Sequence, residues 1–586
     1  MFNNNNVQSD LWQNSVLRLT VAGCASATAL CAIANAQFSG NTTAPLTLRS
    51  DYFGYAASVS PRVGFTDNIN LASEGAREEE YSFSTLLNLS AIASKPRVTG
   101  VFLGDIDLSY LANQDEFVVN QNVGAAATFT GVDNWLYLDV AGSSQRQLLG
   151  DNARFSNSLN SARNQRANVH SYSVSPYLHH RMADNSAYEL RYRFSQTFID
   201  DSDTDANPFD GDLLNDSQTH EVLASYESGN LFERVKFRTG VYGNRTKEDG
   251  TDLILVDPVT GAALLDPSTG APIGQFFEYE QGSAFAEAQV ALSDNFALSG
   301  AVGYDEIDTD LAAEIFFDDE DLSGVFWRAG FSARPSRRTN IRLEYGERYG
   351  DDFIDASVFY ELSSRFLFSA SASRTFQTRA ESNLSLFRSA SRQILEFADR
   401  LREGQELSPR EVVERTNQFA GGYGDRSQTI GLGTTNAANA ALTAQYDRTQ
   451  FTGAAFYSDT DFGFRENTSF GLSLNVDRRL SRRLTGYGNF TWRSTDTTVD
   501  TSTCESNPTF FGLDPSAPMF DPMTACATLA GDNGKTNTLI GSIGASYRLV
   551  ENVSAFAEYS HAERFSENAA LEYGENSILA GITLEF

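Results

Sequence analysis

The spacing of its connections constrains this chain more than any other feature. From about residue 53 onward, segments of near-constant length recur in which apolar and polar residues alternate. Alternation with period two is what an extended strand with unlike faces requires. The links between these segments take turns at being short and long. Residues 95–97, 183–186, 230–232, 335–338, 448–449 and 479–482 are short links, and between them fall 147–168, 201–217, 246–275, 307–322, 377–435 and 496–536. A stacked soluble sheet has no reason to keep that parity. A barrel whose two ends face different compartments does, with tight turns at one end and long loops at the other. The expectation is an all-β protein: a transmembrane, antiparallel, up-and-down outer-membrane β-barrel over 53–586, of about 22 strands (roughly 20–24).

The last segment, Asn576 to Phe586, states the pattern with one apolar exception on its polar face, Leu579. Ile578, Ala580, Ile582, Leu584 and Phe586 share one face, while Ser577, Gly581, Thr583 and Glu585 share the other. A closing strand that ends on Phe586 resembles the terminal signature that the assembly machinery of bacterial outer-membrane barrels reads. Composition does not oppose this. Hydrophobic residues make up 41% of the 586, and a spanning strand needs only every second residue to be apolar. Beyond the first 36 residues no run approaches the roughly 18 apolar residues of a membrane helix. The net charge of −32 excludes a nucleic-acid-binding surface.

The first 36 residues read as a leader. Arg18 precedes the apolar, small-residue stretch 19–33, and Ala34-Asn35-Ala36 follows it. This is the layout of a secretory signal peptide cut between Ala36 and Gln37, leaving 37–52 as a short lead-in. Val21-Ala22-Gly23-Cys24 offers a lipoprotein alternative, but only five residues separate Arg18 from Cys24, short of a usual apolar core. Cleavage after Ala36 leaves Cys504 and Cys526, both within one polar link. In an exported, oxidising compartment that pair is expected to form a disulfide.

Parity also assigns the faces. In 187–200, Tyr188, Leu190, Tyr192 and Phe194 alternate with Glu189, Arg191, Arg193 and Ser195. The first set must meet lipid, because a basic residue at mid-depth there costs about 2–4 kcal/mol. Glu189, Arg191 and Arg193 therefore line the lumen, and the same reasoning places Lys236, Arg238, Arg328, Arg342 and Glu344 there. Two uses fit such a lining. One is a rigidifying lattice of Arg–Glu salt bridges, and the other is a track for an anionic solute or polymer.

The long links hold what other chemistry there is. Asp201, Asp203, Asp205, Asp210 and Asp212 resemble an oxygen-ligand calcium loop, but Ala206 stands where such a loop needs glycine, and a solvated acidic loop is the competing reading. No other cofactor is expected. The five histidines sit in no G-x-S-x-G or H-E-x-x-H setting, so no enzymatic activity is expected. Within 377–435, Leu384, Phe387, Ile394, Ala398 and Leu401 recur at helical spacing, and Ser408-Pro409-Arg410-Glu411 opens a second helix. This predicts a helical hairpin in one long extracellular loop. With a lead-in too short for a plug, that loop is the sizeable candidate to fill or cover the lumen.

The start of the barrel, SVSPRVGFTDNINLASEG from Ser58 to Gly75, resembles the opening of a family of outer-membrane β-barrel proteins associated with PEP-CTERM and exopolysaccharide systems, also described as β-barrel porins. Thr66-Asp67-Asn68-Ile69-Asn70-Leu71 carries the local likeness. The resemblance implies a place in the cell outer membrane of a Gram-negative bacterium and a link to polysaccharide export components. Combined with parity and leader, it gives the functional expectation of a channel or porin for hydrophilic solutes or exopolysaccharide. The alternative is a non-conducting structural or adhesive surface protein that uses the barrel as an anchor. Expected partners are outer-membrane lipid and lipopolysaccharide, the barrel assembly machinery and export components, with no nucleic acid.

Overall fold

A computed structural model of the chain describes residues 53–149, 153–158, 160–200, 216–230, 232, 234–249, 277–309, 322–378, 381–382, 427–428, 432–462, 465–499, 505 and 534–586. The leader with Ala36 and Gln37, the lead-in, the acidic loop from Asp201 to Asp212, Cys504, Cys526 and the predicted helical hairpin lie outside the described residues.

The strands run in chain order. They begin with β1 (Phe53–Thr66), β2 (Glu80–Lys95), β3 (Val98–Leu111), β4 (Glu116–Val132), β5 (Leu136–Leu149), β6 (Arg166–Arg181), β7 (Ala187–Asp200) and β8 (Asp216–Glu227). Next come β9 (Val235–Asp249), β10 (Phe277–Ser293), β11 (Phe296–Thr309), β12 (Gly324–Ser336), β13 (Thr339–Arg348), β14 (Asp351–Ser363) and β15 (Phe366–Thr378). The two-residue β16 (Ser427–Gln428) stands apart. The wall resumes with β17 (Leu432–Gln445), β18 (Thr449–Asp461), β19 (Arg465–Arg479), β20 (Leu484–Val499), β21 (Gly534–Val550), β22 (Val553–Ser566) and β23 (Tyr573–Glu585). Every wall strand pairs antiparallel with its neighbours, and β1 meets β2 on one side and β23 on the other. The wall is a closed barrel of 22 strands, so its first and last strands cover each other's edges.

Its faces are reversed relative to a soluble protein. The outer face carries exposed apolar side chains, such as Leu190 on β7, Val302 on β11 and Ile543 on β21, while buried Ser195, Thr197, Thr538 and Ser542 look inward. Aromatic residues gather near both ends of the wall: Trp135, Phe232, Phe296, Tyr446 and Phe586 at the turn end, and Tyr81, Phe117, Tyr304 and Phe565 at the loop end. An apolar band between two aromatic girdles is what a bilayer selects. The barrel therefore spans the outer membrane.

Strands extend farther than the alternation predicts. The link expected over 377–435 begins only after Thr378, and β17 already includes residues 432–435. Apolar alternation stops at the edge of the lipid, but the hydrogen-bond ladder continues into water, where Gln377 and Thr434 satisfy it as well as any apolar residue. Three links at the loop end are also short, at 112–115, 349–350 and 462–464. Tyr349 and Gly350 both have positive φ, the backbone of a two-residue hairpin turn.

Two prolines interrupt the ladder where an N–H is missing. The β1–β23 pairing skips Ser60 and Pro61, and the β6–β7 pairing skips Ser175 and Pro176. Across the first gap, Ser60 and Thr583 join their hydroxyls at 2.9 Å on the inner face.

Candidate functional site

The inner wall carries two charged arcs. On the first, Arg191 of β7 reaches Asp139 of β5 at 2.9 Å and Glu189 at 2.8 Å. It also donates to Ser175 Oγ at 3.2 Å. Its guanidinium lies 3.7 Å from the centre of the Tyr177 ring, a stacking geometry that favours Arg over Lys. Pro176 opens the ladder beside this cluster. One step along β7, Arg193 grips both oxygens of Glu221 on β8, at 3.1 and 3.0 Å. Both bonds come from the one Nη1, and being charge-assisted they are stronger than neutral hydrogen bonds.

The second arc spans β10 to β13. Glu344, almost fully buried, accepts from Arg342 at 2.8 Å and from Ser299 at 2.8 Å, with Arg328 at 3.4 Å. Arg328 also bonds Glu287 of β10 at 3.1 Å. Nearer the loop end, Arg348 holds both oxygens of Asp305, at 2.7 and 3.0 Å. Between the arcs, β9 places Lys236 and Arg238 on the same inward-facing parity as buried Asn244 and Thr246. Glu227 stands directly across from Arg238, whose guanidinium is 5.6 Å from the Phe285 ring.

Every lumen residue expected from the sequence thus lies on the inner parity, and Glu189, Arg191, Arg193, Arg328, Arg342 and Glu344 are brought into two ion-pair clusters. Sequence reasoning overlooked their acidic partners Asp139, Glu221 and Glu287, and the neighbouring pair Asp305–Arg348. A signal was present. Each stands at the inward parity of its own strand, but only strand register reveals which acid faces which arginine.

The loop end is where the lumen narrows. Beyond Gln145, β5 leaves β4, whose remaining residues pair only with β3. The segment 153–165 that follows turns into the barrel. Its Asn160 donates to Ser109 at 3.1 Å and accepts from Asn120 at 2.7 Å. Ser161 donates to Glu575 of β23 at 2.6 Å, and Ala162 donates its N–H to the Ile69 carbonyl at 2.8 Å. Phe155, Ala162, Leu71 and Tyr573 bury one another in an apolar cluster inside the wall.

The connection between β15 and β17 also enters. Glu381, three residues past the end of β15, accepts from Asn244 of β9 at 3.1 Å and from the Tyr279 hydroxyl of β10. Later in the same connection, β16 pairs in parallel with the freed edge of β5, Ser427 opposite Leu148 and Gln428 opposite Leu149. Ten strand steps separate β5 from β15 around the 22-strand wall. The described residues of this link thus touch β9 and β10 at Glu381 and β5 at Ser427 and Gln428.

Among the described residues, no cluster of three or more His, Cys, Asp or Glu is disposed to hold a metal ion.

No protein-family model matches the chain, and no curated protein matches it. Solved structures that resemble it include the siderophore receptor PirA from Acinetobacter baumannii, 9% identical, covering 91% of this chain and 80% of that one with a TM-score of 0.47. Another is a mutant of the ferric enterobactin receptor PfeA from Pseudomonas aeruginosa, 10% identical over 91% and 80% with a TM-score of 0.44. A third is the ferric-catecholate import receptor Fiu from E. coli K12, 11% identical over 91% and 81% with a TM-score of 0.43. The likeness is one of barrel outline alone.

Proposed function

We propose that the protein is an outer-membrane channel for hydrophilic solutes, narrowed at its loop end by the β15–β17 connection. The observation that carries this reading is the pairing of β16 with β5 above a lumen wall lined by charged and hydrogen-bonding side chains. A wall so polar favours a wet path over a packed interior. A barrel of about 22 strands is wide enough to leak unless something crosses it. The ion-pair clusters keep most arginine charge neutralised, which favours uncharged or weakly charged solutes over a dedicated anion track.

The resemblance of Ser58–Gly75 to proteins of exopolysaccharide systems makes a polysaccharide the preferred solute, export components the preferred partners, and the outer-membrane assembly machinery the reader of Phe586. The reading needs no catalytic step and no cofactor. The competing reading is a closed barrel that anchors adhesive loops. Planar-bilayer recording separates the two, comparing the full chain with a variant lacking 383–426. Discrete current steps in either form support the channel, and larger steps in the shortened form support a constriction by the connection. Silence from both, with folded barrel inserted, would leave the anchor.

A further inference from the structure

Away from the charged arcs, the β1–β5 arc presents a row of polar side chains, three of them amides. Ser58, Asn88, Asp105, Asn122 and Gln145 stand directly opposite one another on five consecutive strands. Gln145 is the last residue that joins β5 to β4 before the two separate. Where they part, a cavity of about 170 Å³ opens between this row and the segment 153–165. Asp105, Asn122 and Gln145 form one side, Asn157 and Asn160 another, and the Phe556 ring supplies an apolar flank.

The charges at the cavity are accounted for in a particular way. Arg62 is committed to Asp107 at 2.6 Å and to Ser84 at 3.2 Å, and Arg146 donates to Asn120 and to the Arg163 carbonyl. Glu80 accepts from the backbone N–H groups of Tyr81, Asn113 and Gln114. Both arginines that line the cavity, Arg62 and Arg146, already have partners, so no free guanidinium is offered to an anion. Of the lining amides, Asn157 has its Nδ2 buried without a hydrogen-bond partner. A buried polar atom of this kind calls for an explanation, and a missing ligand is one. A hydroxyl group accepts from an amide N–H such as that of Asn157 and donates to amide and carboxylate oxygens such as those of Asn122, Gln145 and Asp105, which line the same cavity.

We propose that this cavity is a subsite for a neutral, hydroxyl-rich ligand: one sugar unit of an oligosaccharide or polysaccharide chain. Asp105 and the amides of Asn122 and Gln145 bracket neighbouring hydroxyls, and the Phe556 ring takes the apolar C–H face of the sugar. The proposal rests on the channel reading only for how the ligand reaches the lumen.

The test is calorimetric titration of the full-length, detergent-solubilised protein with neutral hexasaccharides of glucose, mannose and N-acetylglucosamine, and with anionic hexagalacturonate. The expected result is binding of at least one neutral chain, with hexagalacturonate at least tenfold weaker. Asn157→Ala and Asn122→Leu each weaken the neutral chain tenfold or more. Heat-modifiable gel mobility checks that each variant is folded, and the near-isosteric Asp105→Asn, also expected to weaken binding, serves if Asn122→Leu does not fold. The proposal is overturned by wild-type protein that binds none of the neutral chains, by equal or tighter binding of hexagalacturonate, or by folded variants that bind as wild type does. Conductance of the same preparation is read in parallel. Protein that conducts without binding loses the subsite alone, and protein that binds without conducting loses the channel reading alone.

Discussion

The Ser161 hydroxyl donates to the Glu575 carboxylate at 2.6 Å, and Thr66 donates to the same oxygen at 2.7 Å. One buried carboxylate thereby ties the inward segment between β5 and β6 to both strands of the closing seam. Hydrogen bonds to a charged group contribute about 1.5–3 kcal/mol. Ser161→Ala is expected to loosen 153–165 locally while the barrel stays closed. Amide hydrogen exchange in that segment should rise about tenfold, since 1.4 kcal/mol is a factor of ten, with exchange in β23 unchanged.

Glu344 holds the second arc together through Ser299, Arg328 and Arg342. Glu344→Leu leaves two guanidinium groups facing each other across the vacated site. Breaking a buried ion pair from one side costs about 3–5 kcal/mol, and the partial exposure of the arginines places this case near the lower figure. A fall in the urea midpoint of the folded barrel checks it. Replacing Arg342 and Glu344 together by Met and Leu should cost less than Glu344→Leu alone.

The two faces of β11 make a controlled comparison. Val302 is exposed on the outer face, whereas Ser299 and Ala301 look inward. Val302→Arg is expected to destabilise the inserted barrel by about 2–4 kcal/mol if it sits at mid-depth. Ser299→Arg adds the same charge on the wet side and should cost less. Folding titrations into vesicles read the difference.

Two turns interlock at the turn end. Asn230 donates to the Asp184 carbonyl at 2.8 Å, and Gly229 adopts φ +56°. A Cβ at 229 would lie 2.1 Å from the Ser186 nitrogen and 2.3 Å from the Asn185 carbonyl carbon. Gly229→Ala therefore meets rigid backbone as well as a strained φ, and strain of this kind alone costs about 1–3 kcal/mol. The expected outcome is slower folding into vesicles and a lower urea midpoint. Gly75, with positive φ but nothing near its Cβ position, should tolerate alanine better.

Asp184 in the same turn accepts from the Ser186 hydroxyl at 2.6 Å and the Ser186 N–H at 3.0 Å. These bonds hold its carboxyl below the usual 3.8. A depressed folded value means the contribution is complete above the unfolded one and lost as pH falls through the folded one. The turn should stay intact down to about pH 4 and loosen only in stronger acid. Ser186 amide protection, followed from pH 7 downward, tests this, and Asp184→Ala should abolish the step.

Much of the architecture was legible because a membrane imposes simple arithmetic. Lipid demands an apolar side chain at every second position, so Leu190 and Arg191 declare their faces without reference to any neighbour. Backbone groups in lipid must pair completely, which forces closure once strands are recognised. The alternation of turns and loops follows from having two sides to a membrane.

What the sequence could not decide was the register in which neighbouring strands pair, and where the chain leaves the wall. Asp139 and Arg191 lie 52 residues apart, and only the stagger of β5, β6 and β7 brings them within 2.9 Å. Gln145 reads like any other polar residue of an alternating strand, yet it is the point where β5 parts from β4. The inward course of 153–165 depends on Ser161, Asn160 and Phe155 finding partners on β3, β4 and β23. Those contacts span 40 and 51 residues to β4 and β3 and more than 400 to β23, and they leave no local periodicity. Faces are a property of single strands and are written in the sequence; the inward segment, the ion-pair clusters and the amide-lined cavity are properties of register, which tertiary pairing alone sets.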